Sequence, residues 1–204
     1  TLIGCALAWF GVSFIFPDWK FRRLPRTIKR SLQAQCSYLS EVVEQYKNGR
    51  NNGLNYRVVR RAAHNTDADV ASLISTLATE PDFDPAQKAQ AFEFLCLNHT
   101  FISYIAALGA HRGKIQDQEV LTLLDKALDD IQGALLRDEV PDLTAQNMLQ
   151  TIRQRLSQNN DEDQKALIIL QQLSLMFSIL NQLSRLKQNL SHDHDQHATE
   201  LASL

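Results

Sequence analysis

The chain has 204 residues, 44% of them hydrophobic, and a formal net charge of −2. Its three cysteines, Cys5, Cys36 and Cys96, lie far apart with no CxxC spacing, which argues against a disulfide framework or a zinc site. The near-neutral sum conceals an asymmetry: residues 18–61 hold eleven Lys/Arg against three Asp/Glu, a local charge of +8, and the remainder carries −10.

Thr1 to Phe16 contains no charged side chain, and Pro17-Asp18-Trp19-Lys20-Phe21-Arg22-Arg23 follows at once. An apolar block that gives way to aromatics and then arginines is the pattern of a transmembrane helix leaving the bilayer. Sixteen helical residues rise roughly 24 Å, less than the ~30 Å hydrocarbon core, so the block reads as the end of a longer helix in a longer protein. A secretory signal would carry its charges before the apolar run and small residues at its end, and the reverse is found here. A buried helix of a soluble domain is the other alternative. Trp19, Lys20, Arg22 and Arg23 fall where interfacial anchors belong, and the basic cluster after Phe16 places that side in the cytoplasm. Basic near the membrane and acidic away from it suits a domain beside anionic lipid. Nucleic acid is not expected as a partner, because the basic stretch lacks the aromatic platforms of single-strand binders.

Six helices are expected after this block, with no strand signal. The first runs from Pro25, a favoured early helix residue, to Asn48-Gly49, with Ile28, Leu32, Cys36, Leu39, Val43 and Tyr46 as its apolar stripe. The second, Leu54 to Thr79, buries Val59, Ala63, Val70, Ile74 and Leu77. It gathers Arg57, Arg60, Arg61 and His64 on another face, because residues three, four and seven apart are helix neighbours. Three guanidiniums on one face suit a phosphate or carboxylate, and internal pairing with acidic side chains is the competing use. The third helix, Pro85 to His111, is apolar nearly all round from Phe92 to Leu108 and is expected at the centre, with His99 as a satisfied core histidine. The fourth spans Asp117 to Arg137 on Val120, Leu124, Ala127, Leu128, Ile131 and Leu135. The fifth spans Asp142 to Leu156 on Met148, Leu149, Ile152 and Leu156. The last runs from Glu162 to Leu190. Ala166 to Ser184 is uncharged across nineteen residues, long enough for a span, but seven Gln, Ser and Asn side chains interrupt it. It reads as the spine of a helical bundle, with a second membrane span as the alternative.

His192-Asp193-His194-Asp195-Gln196-His197 has metal-binding residue types, but a terminal run with no surrounding cage is not assigned as a site. The three cysteines read as small buried hydrophobes. The sequence contains no GxSxG, P-loop, GxGxxG or HExxH motif, and no catalytic, cofactor or metal residue is expected.

TLIGCALAWFGVSFIFPDW, LNYRVVRRAAHNTDADVASLISTL and FEFLCLNHTFISYIAALGAHR together resemble the C-terminal region of YccS/YhfK-type bacterial inner-membrane proteins, relatives of the fusaric-acid-resistance and aromatic-acid-exporter group. The resemblance implies a much longer parent with membrane helix bundles and cytoplasmic helical regions, exporting small organic anions, aromatic ones among them. It carries over location and class, and no transport residues.

The expected architecture is therefore all-α: residues 1–17 as the end of a transmembrane helix, 18–190 as a cytoplasmic antiparallel bundle of about six helices, and 191–204 as a flexible polar tail. The expected role is non-enzymatic, assisting assembly or gating of an inner-membrane exporter-like protein. Membrane lipid, the rest of the parent chain and further copies of itself are the expected partners. The alternative role is a helical module that senses an anionic ligand or lipid.

Overall fold

The computed structural model describes residues 23–50, 53–79, 84–137, 139, 142–158 and 164–201, with Gly4; at 142–145, 156, 158 and 192–201 the description covers backbone alone. Apart from Gly4, the expected membrane-helix end lies outside these residues, as do the anchors Trp19, Lys20 and Arg22. Six helices make up the described fold: α1 Arg23–Asn48, α2 Leu54–Ala78, α3 Pro85–Ala110, α4 Gln118–Leu136, α5 Asp142–Gln158 and α6 Gln164–Leu201. No strand occurs among the described residues.

Each helix starts and stops for a local reason. Pro25 sits in the first turn of α1, where its missing N–H has no intrahelical acceptor to lose, so the helix begins two residues before it. At the other end Gly49 adopts φ 85°, and its N–H donates to the Gln45 carbonyl at 3.0 Å. Only glycine takes that left-handed conformation without steric cost. Asp84 caps α3 by accepting from the Ala86 and Gln87 N–H groups at 2.9 and 3.1 Å, with Pro85 following as first helical residue. Asp117 caps α4 in the same way, through Glu119 and Val120.

The expected stripe of α1 is buried throughout, from Ile28 to Tyr46, and Leu24 extends it at the start of the helix. This helix packs against α2, α3, α4 and α6. The pair α1–α2 runs in opposite directions, with Tyr38 hydrogen-bonded to Tyr56 near the Gly53 turn. Val70, Ile74, Phe94, Phe101, Ile105, Leu124 and Ile131 fill the space between neighbours, and each such side chain contributes roughly 1.5–3 kcal/mol on burial.

Two expectations need correcting. α3 is not covered on every side: it packs on α1, α2 and α6, while Phe92, Cys96, His99 and Ser103 form an exposed stripe. Apolar composition overstates coverage because much of any folded surface is itself apolar. The more central helices are α1 and α6. The last helix also continues past Leu190 to Leu201, since Ser191 to Leu201 contains neither Gly nor Pro to break it.

α6 buries Ile169, Leu170, Leu173, Met176, Phe177, Leu180 and Leu183 along one seam against α1, α3, α4 and α5. Two of its polar residues close the end of α4. Ser184 Oγ donates to the Ala134 carbonyl at 3.2 Å, and the buried Lys187 Nζ donates to the Leu135 carbonyl at 2.9 Å. An ammonium at a helix C-terminus satisfies open carbonyls and meets the negative end of the dipole. By length and composition α3 and the stretch Gln164–Ser191 of α6 are each apolar enough to cross a membrane, and each buries part of its surface inside the fold.

Gly109 marks the closest approach of α3 to α1 and α2. A Cβ there would lie 2.9 Å from the Tyr56 hydroxyl and 3.2 Å from both the Tyr38 hydroxyl and Val42 Cγ2. Alanine gains up to about 1 kcal/mol of helix propensity, but overpacking against hydrogen-bonded ring ends costs about 1–3 kcal/mol. Gly109→Ala should therefore lower stability in denaturant titrations. The loss should shrink when Tyr56→Phe removes the nearest oxygen.

Candidate functional site

A polar network crosses the junction of α1, α2 and α3. Asp67, on the core face of α2, is 7% exposed, and Asn98 on α3 is fully buried. Asp67 Oδ1 accepts from Asn98 Nδ2 at 2.7 Å, and its Oδ2 lies 2.9 Å from His99 Nδ1. Asn98 Oδ1 accepts from Gln35 Nε2 at 3.1 Å, and Ser31 Oγ accepts from both amides at 3.3 Å. Both protons of the Asn98 amide are thus used, and each Asp67 oxygen has a donor when His99 Nδ1 carries the proton. Gln35 Oε1 has no partner among the described residues.

His99 is the opposite of a core histidine. Its side chain is 68% exposed, and only Nδ1 is tied inward, to Asp67. Asn98, its neighbour in sequence, takes the buried position. On a helix, consecutive residues point about 100° apart, so one of the pair had to face outward.

A second cluster adjoins the first. The Tyr38 and Tyr56 hydroxyls lie 3.0 Å apart, with their rings edge-to-face at 5.5 Å. The Arg112 guanidinium stacks 3.8 Å from the Tyr56 ring centroid and donates from Nη1 to the Gly109 carbonyl at 2.8 Å. Tyr46 donates to the Leu108 carbonyl at 2.7 Å. These contacts clamp the C-terminal end of α3 onto α1 and α2. Burial, and for Tyr38 also the Tyr56 hydroxyl, pushes the ionisation of Tyr38 and Tyr46 well above the ordinary tyrosine range, so both stay neutral.

The structure places Arg57, Arg60, Arg61 and His64 on one exposed face of α2, as their spacing predicts. Among the described residues none of the three arginines forms an ion pair; Arg57 Nε donates to the Gly53 carbonyl of its own helix at 3.2 Å. The His64 ring centroid is 6.5 Å from that of Tyr38. Burial, then the Arg60 charge, holds the His64 pKa below its ordinary value, with Asp67 opposing. Arg60 and His64 therefore border the network, and Arg57 and Arg61 extend the basic face away from it. Arg23, the remaining expected anchor, is the exposed first residue of α1.

Sequence reasoning missed Ser31, Gln35, Tyr38 and Arg112. One signal was present: Ser31 and Gln35 interrupt the apolar stripe of α1, three and seven residues after Ile28. A polar residue within a buried stripe implies a polar partner across the interface.

One cysteine departs from the expected burial. Cys36 is buried, and that burial pushes its thiol up to about 12, but Cys96 lies exposed on α3. Cys5 is outside the described residues. Among the described residues, no Ser, Thr or Cys side chain hydrogen-bonds to the imidazole of His64 or His99; Ser103 Oγ donates to the His99 backbone carbonyl at 2.8 Å. None of the His, Cys, Asp and Glu side chains form a group of three or more suited to a metal. The side chains of His192, His194 and His197 are outside that description.

Comparison with known proteins adds context to this geometry. The chain is 43% identical over 192 residues to the inner membrane protein YccS of Escherichia coli, covering 94% of this chain and 27% of YccS. The chain is similar to YccS-type inner-membrane proteins. An uncharacterized protein of Haemophilus influenzae is 36% identical over 117 residues, 57% of this chain and 16% of that protein. The uncharacterized protein ORF2 of Neisseria gonorrhoeae is 38% identical over 82 residues, 40% of this chain and 20% of that protein. The chain thus spans about a quarter or less of the length of these relatives. No family model and no solved structure matches it. The similarity to YccS covers nearly the whole of this chain, the Asp67 junction included.

Two predictions test the site. Asn98→Ala removes the donor to Asp67 and the acceptor for Gln35, and should cost about 1–3 kcal/mol for each buried group left unpaired, read from chemical unfolding. The lowered pKa of His64 means its neutral form is favoured by folding. Its stabilising contribution is then full above the unfolded value of 6.5 and is lost as pH falls through the folded value. Unfolding curves collected across that range should show a flatter pH dependence for His64→Gln than for the parent.

Proposed function

We propose that this chain is the cytoplasmic, antiparallel helical-bundle domain of an inner-membrane, exporter-like protein, and that it assists assembly or gating without enzymatic chemistry. The observation that carries the reading is the 43% identity over 94% of the chain to a part of an inner membrane protein. The basic flank after the apolar block supports the orientation, with positive charge on the cytoplasmic side. The parent would move small organic anions outward, and the domain would contact lipid, the rest of its chain and further copies of itself. A centrally packed α1 continuous in sequence with the membrane segment gives a mechanical route between the two, since a packed helix transmits displacement rather than absorbing it.

A second reading has one specific observation in its favour. Arg57, Arg60 and Arg61 share an exposed face of α2 and form no ion pair among the described residues. That face suits recognition of an anionic ligand or lipid.

Deleting residues 31–204 from the full-length protein should reduce oligomer size on native electrophoresis and impair export of an aromatic acid from whole cells. Unchanged oligomers together with unchanged export would remove the first reading.

A further inference from the structure

The membrane-proximal half of α1 and the C-terminal half of α2 enclose an open cleft of about 490 Å³. Its α1 wall carries Arg23, Arg26 and Arg30, which lie within a narrow arc of the helix because they are three and seven residues apart. Its α2 wall carries Thr66, Asp69, Ser72 and Thr76. Among the described residues, none of the three arginines forms an ion pair, and Asp69 is the single carboxylate lining the cleft. Three guanidiniums against one carboxylate leave a local excess of two positive charges.

The hydroxyls are not equivalent. Thr66 Oγ1 donates to the Ala62 and Ala63 carbonyls, and Thr76 Oγ1 donates to the Ser72 carbonyl at 2.9 Å. Their protons are occupied within α2. Ser72 Oγ makes no hydrogen bond among the described residues, so it can donate into the cleft together with the guanidiniums. Planar, bidentate donors plus a hydroxyl suit a tetrahedral oxyanion of charge −1 to −2.

We propose that this cleft binds a phosphate group, supplied by the headgroup of an anionic phospholipid. The binding chemistry rests on the cleft itself, and only the lipid source rests on the membrane reading above. Five residues separate Pro17 from Arg23, a reach of at most about 20 Å, so a bilayer ending at that point puts headgroups within range of the cleft. The site is separate from the Arg57–His64 face, which lies toward the opposite end of α2.

The test uses the whole 204-residue chain. Co-sedimentation is measured with vesicles of phosphatidylcholine alone and with 30 mol% phosphatidylglycerol, and thermal unfolding is followed with inorganic phosphate or glycerol 3-phosphate. The double variant R26Q/R30Q should bind the anionic vesicles about thirtyfold more weakly, near the effect of two basic groups at such a surface. R57Q/R61Q, an equal charge change elsewhere, should lose much less. S72L narrows the cleft without altering charge and should also weaken binding, with its folded state checked by circular dichroism. Stabilisation by free phosphate that R26Q/R30Q abolishes, without vesicle preference, would keep the phosphate site and change its source. Equal losses in R26Q/R30Q and R57Q/R61Q, with none in S72L, would overturn the site. So would a lack of effect of R26Q/R30Q on both probes. None of these outcomes depends on the oligomer and export measurements that test the domain's role.

Discussion

A carboxylate at the meeting point of three helices is the constraint on which the arrangement of α1, α2 and α3 depends. Asp67 is nearly buried on the core face of α2, among Ala63, Val70 and Ile74. An ionised carboxylate in that setting is strongly destabilising unless its oxygens are matched by donors. Asn98 and His99 supply them from α3, and Ser31 and Gln35 hold Asn98 in place from α1. A sliding of α3 by one turn would carry Asn98 away from both neighbours. Apolar contacts tolerate such shifts far better than a set of directional bonds does.

The same junction governs what reaches the surface. With Asn98 turned inward, His99 faces solvent and Cys96 follows on the same stripe. On α2, burial of Asp67 and Val70 turns Arg57, Arg60 and Arg61 outward. Farther along, the antiparallel pairing of α1 with α2 brings the arginines near the start of α1 opposite the hydroxyls near the end of α2. The arginines of α1 and α2 thus sit on two separate surfaces of the helix pair. Lys187 on α6 is instead buried, where the carbonyl end of α4 supplies its acceptor.

Gly109 and the tyrosines fasten the other end of this three-helix unit. Tyr38, Tyr46 and Tyr56 reach the last turns of α3 from α1 and α2, and Arg112 covers the Tyr56 ring from beyond the helix end. The polar network sets the register, while the tyrosine clamp sets how closely the helices approach. Both act on α1, the helix that follows the apolar block in sequence. This gives the proposed coupling between a membrane segment and the rest of the domain a rigid starting point.

The helices themselves were legible in the sequence. The stripe from Ile28 to Tyr46, the caps Asp84 and Asp117, Pro85 and Gly49 are local signals, and local signals decide where a helix starts, stops and turns its apolar side. The shared face of Arg57, Arg60, Arg61 and His64 follows from helical spacing alone. The similarity to inner-membrane proteins was also legible, in stretches of residues rather than in any motif. What the sequence could not supply was which apolar surfaces end up covered. α3 is the most apolar helix, yet its Phe92–Ser103 stripe remains exposed, because coverage depends on the number of neighbours and not on composition. The fates of Asn98 and His99, adjacent and both polar, were likewise decided by the position of Asp67, 31 and 32 residues earlier. The Arg23–Arg30 cleft needs two helices at once. Periodicity determines which residues share a face; only tertiary packing decides what that face meets, since pairing across helices joins residues that no local rule connects.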